Sequence, residues 1–214
     1  MSDSAHHWDA VYRARPDDRT SWHRARLDAS LRLLDAIGLD PDAPIVDIGG
    51  GRSSFVDDLL ARGHRDVSVL DVSLEALAQV RERLGAAGGN VHWIGADVTS
   101  VELPPARYAL WHDRAVFHFL VDAHARSRYA AMLARSVRAG GHAIVATFAP
   151  DGPERCSGLP ANRYDAASLA VQFAPAFALI ESERDLHRTP TGAVQAFTYA
   201  LLRRGGAEDR EIRC

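Results

Sequence analysis

Lysine is absent from this chain, and all 25 of its Lys plus Arg positions are arginine. No lysine can therefore serve as a catalytic base, and a catalytic Tyr/Lys pair is excluded. The formal net charge is -3 and the isoelectric point is near 6.4. A chain of this charge does not hold nucleic acid by charge alone, so no nucleic-acid partner is expected.

Cysteines and long apolar runs are also scarce. Cys156 and Cys214 give no disulfide framework, which favours a reducing, cytoplasmic location. No apolar run approaches the roughly 18 residues of a membrane span, and the first residues lack the pattern of a signal peptide. We therefore expect no membrane partner. With 214 residues and 47% hydrophobic composition, the chain can bury one sizeable core, as a monomer or a dimer.

What the chain does contain is a strand, a glycine turn, a helix and a second strand within residues 44–71. Three consecutive glycines, residues 49–51, follow an apolar run, and Asp71 ends the next apolar run roughly 20 residues later. Glycines let a ligand approach the backbone closely, and a helix N-terminus lies behind the turn. A carboxylate at the position of Asp71 binds the two hydroxyls of a ribose in folds of this kind.

The glycine spacing separates two kinds of ligand. A pyrophosphate cofactor uses the spacing G-x-G-x-x-G, and the position that would need the third glycine is Ser54. The turn therefore favours a nucleoside without phosphates and argues against a nicotinamide-dependent oxidoreductase. An ordinary glycine turn in a doubly wound sheet without a ligand is the other interpretation of this stretch.

Residues 47–51 read Asp-Ile-Gly-Gly-Gly, which resembles the Asp-x-Gly-x-Gly motif of class I S-adenosylmethionine-dependent methyltransferases. The resemblance implies an α/β fold with a Rossmann-like, doubly wound, seven-stranded sheet, mostly parallel and ending in an antiparallel C-terminal hairpin. It implies a single methyltransferase domain over 1–214, with an N-terminal arm and helix (1–40), a core sheet (44–203) and a tail (204–214).

The same resemblance implies S-adenosyl-L-methionine as the cofactor. The glycines would bind its methionine part, Asp71 its ribose and Asp97, after the third strand, its adenine amino group. The cofactor-binding residues implied are Asp47, Gly49, Gly50, Gly51, Asp71, Val72, Asp97, Val98 and Asp113.

A second motif lies at the end of the fourth predicted strand. Residues 112–115 read His-Asp-Arg-Ala, which resembles the Trp-Asp-Arg-Gly motif of thiopurine-type and thiol methyltransferases and, more weakly, the Asp-Lys-Gly-Thr motif of protein-lysine methyltransferases. Asp113 and Arg114 would then shape the reaction centre. His118 could act as a general base near neutral pH, or it could be a packed histidine between two phenylalanines.

The methyl acceptor is less well specified. An arm carrying Trp8, Tyr12 and Trp22 resembles the arm that closes the site in thiopurine, thiol and halide methyltransferases. A loop rich in turn-forming residues, 149–164, follows the fifth strand and is a second candidate for the acceptor site. The acceptor-binding residues predicted are Trp22, His118, Cys156 and Arg163. Two other interpretations stay open: Cys156 could be a small buried filler, and the aromatics of the arm could simply pack against the core. No metal site is assigned.

The predicted function is methyl transfer from S-adenosylmethionine to a small-molecule acceptor, with a thiol or another soft nucleophile as the accepting group. Two alternatives stay open: a protein-lysine methyltransferase, and a non-catalytic protein that binds the nucleoside.

Overall fold

The computed structural model describes residues 3–14 and 19–206. Its strands are β1 (Ile45–Ile48), β2 (Val67–Asp71), β3 (His92–Gly95), β4 (Tyr108–Arg114), β5 (Val137–Phe148), β6 (Arg155–Cys156), β7 (Leu159–Pro160), β8 (Phe177–Arg188) and β9 (Val194–Arg204). Its α-helices are α1 (Asp3–Ala14), α2 (Asp28–Ile37), α3 (Phe55–Ala61), α4 (Leu74–Leu84), α5 (Ala123–Ser136) and α6 (Ala166–Val171), and 3-10 turns cover Gly85–Asn90 and Phe117–Phe119.

Seven of these strands form one sheet in the order β3-β2-β1-β4-β5-β9-β8. The first five pair in parallel, whereas β9 is antiparallel to both β5 and β8. The predicted Rossmann-like sheet with an antiparallel C-terminal hairpin is therefore confirmed. The chain changes direction between β1 and β4, and open sheets of this kind bind ligands at the carboxyl ends of the strands beside that point.

Helices cover both faces of the sheet. Every residue of β1 and β2 is buried, as a parallel strand requires when both its faces are packed. Leu31, Leu34 and Phe55 lie in the hydrophobic cluster on one face. Tyr129 and Leu133 of α5 lie in the cluster on the other face.

Helix α1 is fixed to the start of α4. The Asp9 carboxylate accepts hydrogen bonds from the Ser73 hydroxyl (2.6 Å) and from the Glu75 amide (3.3 Å). Ser73 itself caps α4, because its hydroxyl accepts from the Ala76 amide at 3.1 Å. This contact carries the N-terminal arm across the carboxyl edge of the sheet.

Two segments differ from the sequence prediction. The fourth strand continues through Arg114, so the His-Asp-Arg motif lies within β4 and not after it. Pairing with both β1 and β5 holds this end in the sheet. The loop 149–164 contains a short antiparallel hairpin, β6–β7, for which its turn-rich sequence gives no periodicity.

Candidate active site

A cavity of about 430 Å³ opens at the carboxyl edge of the sheet, where β1, β2 and β4 end. The predicted residues that line it are Asp47, Gly49, Gly50, Asp71, Val72, Asp97, Val98, Arg114, Trp22 and Cys156. The predicted residues that do not line it are Gly51, Asp113, His118 and Arg163. Helix α1 and the β6–β7 hairpin also contribute to the wall, so the cavity is covered from the side facing away from the sheet.

The glycine turn has no room for side chains. Gly49 has φ +64°, and a Cβ there would lie 2.0 Å from Val116 Cγ2. A Cβ at Gly50 would lie 2.5 Å from Val69 Cγ1, and one at Gly51 would lie 2.4 Å from the Tyr12 hydroxyl oxygen. The turn therefore presents bare backbone to the cavity, and Tyr12 rather than a ligand covers Gly51.

Asp71 ends β2 with its carboxylate almost fully buried. The Ser73 amide donates to Oδ1 at 2.7 Å, and the Gly51 amide also donates to this carboxylate. Loss of hydration outweighs these bonds and raises the pKa of Asp71 to about 6. A buried acceptor with spare lone pairs at this place fits the hydroxyl donors of a ribose.

Asp97 follows β3 on the same edge of the sheet. The amide and the hydroxyl of Thr99 both donate to its Oδ1, at 2.8 and 2.7 Å. These bonds fix the carboxylate and leave Oδ2 available to an amino group in the cavity. Val72 and Val98 add apolar wall on either side, which suits the faces of an adenine ring.

Asp47 is held by a series of buried hydrogen bonds that the sequence did not predict. His112 Nδ1 lies 2.7 Å from Asp47 Oδ1, and His112 Nε2 lies 2.8 Å from the Ser30 hydroxyl. The His112 ring also stacks on Phe55, with the ring centroids 3.9 Å apart. Asp47 Oδ2 is buried and has no hydrogen-bond partner among the described residues, so it fits a cationic group such as the ammonium of methionine. His112 is 65 positions from Asp47 and 82 positions from Ser30, so only the fold reveals these hydrogen bonds.

Asp113 lies beneath the cavity and not in its wall. Its carboxylate accepts from the Val116 amide (2.9 Å), the Phe117 amide (3.1 Å) and the Tyr129 hydroxyl. The side chain is fully buried, and loss of hydration raises its pKa to about 6. The expectation of direct contact with the cofactor does not match this position; Asp113 instead holds the turn that follows β4. Ala115 in that turn has φ +73°, which explains why glycine occupies this place in the motif it resembles.

His118 is likewise enclosed in protein. Its ring packs against Phe119 and Phe148, with centroids 4.3 and 4.6 Å apart, and neither ring nitrogen has a hydrogen-bond partner within 3–14 and 19–206. Burial first, and then the charge of Arg114, lower the pKa of His118 to about 3. Of the two interpretations of His118, the structure therefore supports the packed histidine and not the general base. Its ring is out of reach of an acceptor in the cavity.

The remaining predicted acceptor residues separate into two groups. Trp22 and Cys156 lie in the cavity wall. Arg163 is outside the cavity, partly exposed, and its Nη2 donates to Glu154 at 2.9 Å. The loop containing Arg163 does reach the ligand-binding edge through Cys156 and Leu159, but the Arg163 side chain faces another direction.

Aromatic side chains of the N-terminal arm close the cavity. The Trp8 ring lies 5.7 Å from Trp22 and 5.2 Å from Phe119, and the Tyr12 ring lies 6.2 Å from Trp22. Such edge-on contacts stabilise a packed lid. The arm thus contributes directly to the cavity wall.

Residues 3–14 and 19–206 contain no group of three or more His, Cys, Asp or Glu side chains arranged to hold a metal ion. Within the same residues, no helix has both the length and the apolar character needed to cross a bilayer.

A known protein family matches the central part of the chain. Residues 45–141 match the family model of a methyltransferase domain. The matched segment is just under half of the chain and runs from β1 into β5, so it includes the glycine turn, Asp71, Asp97 and the end of β4. The central segment is thus similar to a methyltransferase domain, and the sheet order agrees with the fold predicted for that class.

Solved structures share the fold at low sequence identity. One is a structure from work on the conversion of a disulfide bond into a thioacetal group during echinomycin biosynthesis. It is 21% identical to this chain and has a TM-score of 0.78, and the alignment covers 98% of this chain and 97% of that one. The 1,6-didemethyltoxoflavin N1-methyltransferase of Burkholderia thailandensis is 22% identical with a TM-score of 0.67. The alignment covers 94% of this chain and 84% of that enzyme. The N-methyltransferase NodS of Bradyrhizobium japonicum is 16% identical with a TM-score of 0.70. The alignment covers 92% of this chain and 98% of NodS.

A curated relative is the eEF1A lysine and N-terminal methyltransferase of Mus musculus, 25% identical over 111 residues. The aligned region is 52% of this chain but only 16% of the mouse protein. This chain therefore corresponds to a small part of that protein.

Proposed function

We propose that this chain transfers the methyl group of S-adenosylmethionine to a small molecule, with a thiol or another soft nucleophile as the accepting group. The observation that carries the proposal is the covered cavity of about 430 Å³ beside the glycine turn. Its volume lies within the range of ordinary small-molecule sites. A cytoplasmic location is part of the proposal and is supported by the low cysteine content.

The wall beside β1, β2 and β3 would hold the cofactor. Backbone at Gly49 and Gly50 suits the methionine part, together with Asp47 Oδ2, which has no partner among the described residues. Asp71 suits the ribose hydroxyls, and Asp97 suits the adenine amino group. When bound, S-adenosylmethionine supplies a methyl carbon that is already activated by a sulfonium leaving group.

The rest of the wall would position the acceptor. Trp22 and Cys156 give this part of the cavity an apolar and polarisable surface. The His118 ring is out of reach, and the His112 ring is committed to Asp47 and Ser30. An acceptor that is already ionised at neutral pH needs positioning rather than a strong base, and this supports a soft nucleophile.

A protein-lysine methyltransferase is the second candidate, and the similarity to the mouse enzyme favours it. A protein substrate must bring its side chain to the methyl group through an open groove. Here helix α1, with Trp8 and Tyr12, covers that approach, which supports the small-molecule interpretation.

Calorimetry followed by a methyl-transfer screen tests the proposal. We expect S-adenosylmethionine and S-adenosylhomocysteine to bind and NADH not to bind. With radiolabelled donor, we expect small thiols to accept the label in preference to amines and peptides. Labelled protein in a cell extract would favour the second candidate, whereas binding without transfer to any acceptor would indicate a non-catalytic nucleoside-binding protein.

A further inference from the structure

Arg114 stands at the end of β4 with most of its hydrogen-bonding capacity unused. Its Nε donates to the Tyr199 hydroxyl at 3.1 Å, and its Nη1 donates to the Trp22 carbonyl at 3.2 Å. A guanidinium carries five N–H groups, so these two bonds leave three uncommitted within the described residues, and Nη2 is buried without a partner there. The side chain also lies over the Phe197 ring, with Cζ 4.7 Å from its centroid. The Arg114 side chain is therefore held in place, but some of its hydrogen-bond donors stay without a partner among the described residues.

The part of the chain that the structure describes also supplies no counterion to Arg114. Within residues 3–14 and 19–206, no carboxylate forms an ion pair with it, although it lines the cavity. The nearby Arg24, which lines the same cavity, shows the contrast, because its Nη2 lies 2.7 Å from the Asp185 carboxylate. The Arg114 charge contributes to lowering the pKa of both His118 and His187. A half-buried positive charge without a counterion costs free energy, and a ligand that brings an anion would remove that cost.

The positive charge of Arg114 lies in the acceptor half of the cavity, which is the part lined by Trp22, Cys156 and the end of β4. Its contacts are with Trp22 and with Phe197 and Tyr199 of β9. In the sheet order, β9 lies two strands beyond β4, on the opposite side from β1 and β2, whose ends carry the glycine turn and Asp71. A group bound by Arg114 would thus belong to the acceptor and not to the adenosine part of the cofactor.

We propose that the acceptor carries a carboxylate or another planar oxyanion, which Arg114 binds through its uncommitted N–H groups. This inference rests on the proposed function, because it names the class of acceptor for the same cavity. A planar guanidinium matches a carboxylate in charge and in fork geometry, and the aromatic wall suits an aryl body. The acceptor class is therefore a small aromatic anion with a soft nucleophile.

The test uses two aryl thiols that differ in one charged group. The protein is saturated with S-adenosylhomocysteine, and calorimetry then measures the binding of 4-mercaptobenzoate and of 4-mercaptobenzamide. We expect the carboxylate to bind at least about tenfold more tightly than the amide, the scale of a hydrogen bond to a charged group. We expect Arg114→Gln to reduce the ratio to about one and Arg114→Lys to keep part of it.

Controls separate this inference from the proposed function. Arg203→Gln removes an exposed arginine from the other end of β9 and should leave the ratio unchanged. Affinity for S-adenosylhomocysteine, measured first, should stay within about twofold in every variant, and it also reports correct folding. If the wild type does not bind S-adenosylhomocysteine, the proposed function fails.

If S-adenosylhomocysteine binds and the wild type shows equal or undetectable binding of the two thiols, only the acceptor inference is overturned. It is also overturned if Arg114→Gln weakens S-adenosylhomocysteine binding and leaves the ratio unchanged, because Arg114 would then bind the cofactor.

Discussion

The two halves of the cavity are built by different means. The half beside β1, β2 and β3 is formed by backbone and strand-end carboxylates that lie within residues 47–99. The half beside β4 is formed by side chains from separate segments: the stretch around Trp22, the end of β4 and the β6–β7 hairpin, with Trp8 of helix α1 packed on Trp22. The first half tolerates little change in shape, whereas the second can change one side chain at a time.

Under the proposed function, this difference separates the binding of the donor from the binding of the acceptor. Glycines in a turn fix a ligand by excluding side chains, so their contribution is steric and nearly all-or-none. Aromatic and charged side chains on independent segments contribute separately. Variants should therefore have large effects on the cofactor half and graded effects on the acceptor half.

The largest effect is expected at Gly49. Changing Gly49→Ala would place a methyl group 2.0 Å from Val116 Cγ2, in a residue with φ +64°. The turn would have to move, and we expect affinity for S-adenosylhomocysteine to fall by about 100-fold or more, a loss of about 3 kcal/mol. Calorimetry measures it directly.

Gly63→Ala is the matched control. Gly63 also has a left-handed backbone, with φ +86°, but a Cβ added there, just after α3, would meet nothing within 4 Å. This variant should lose about 1 kcal/mol of stability from backbone strain and keep its cofactor affinity. Equal losses of affinity in both variants would show that strain, and not the closed turn, governs binding.

The next effect is expected at Asp71. Changing Asp71→Asn removes the charge that would accept the ribose hydroxyls, and we expect S-adenosylhomocysteine to bind about 5- to 150-fold more weakly, or about 1–3 kcal/mol. An unchanged dissociation constant would remove Asp71 from the site.

The same variant should gain stability without ligand. Burial raises the pKa of Asp71 to about 6 from 3.8, so its stabilising contribution is complete below pH 3.8 and is lost as the pH rises through 6. At pH 8 the buried charge destabilises the wild type by about 2–3 kcal/mol. We therefore expect Asp71→Asn to unfold at a higher denaturant concentration than the wild type at pH 8, and at a similar one at pH 4.

A smaller effect is expected at His118. Its pKa of about 3 lies below the ordinary 6.5, so its neutral form stabilises the fold above pH 6.5 and this contribution is lost as the pH falls. Between pH 6.5 and 5 the wild type should lose about 1–2 kcal/mol that His118→Phe keeps. Urea unfolding at the two pH values measures the difference. Loss of methyl transfer in a folded His118→Phe protein would instead restore its interpretation as a general base.

The sequence predicted the fold, and it predicted that Gly49, Asp71 and Asp97 meet at one edge of the sheet, for a local reason. A buried strand that runs into glycines, followed by a strand that ends in an acid, fixes where Gly49 and Asp71 must lie. The sheet order follows from the succession of strands and helices. Each of these features depends on residues that are close in the chain.

The acceptor half was less predictable because its geometry depends on distant residues. Asp113 has the residue type of a ligand-binding group, but Tyr129, 16 residues away, and two turn amides use its carboxylate. In the cofactor half too, the contacts of His112 with Asp47 and with Ser30 join three separate elements. Sequence marks such residues as able to bind, and only packing decides what they bind.

The smallest effect is expected at Arg163, and it tests the acceptor half most sharply. Arg163 is paired with Glu154 near the surface, at 2.9 Å, and it lies outside the cavity. Exposed ion pairs of this kind contribute about 0–1 kcal/mol, so Arg163→Gln should leave both stability and the acceptor KM within about twofold. Trp22→Ala, in the cavity wall, should raise that KM by about tenfold through lost apolar contact. Steady-state kinetics with one thiol acceptor compares the two. If Arg163→Gln raises KM as much as Trp22→Ala does, the loop 149–164 must close further over the acceptor, and the present wall would be the open form of the site.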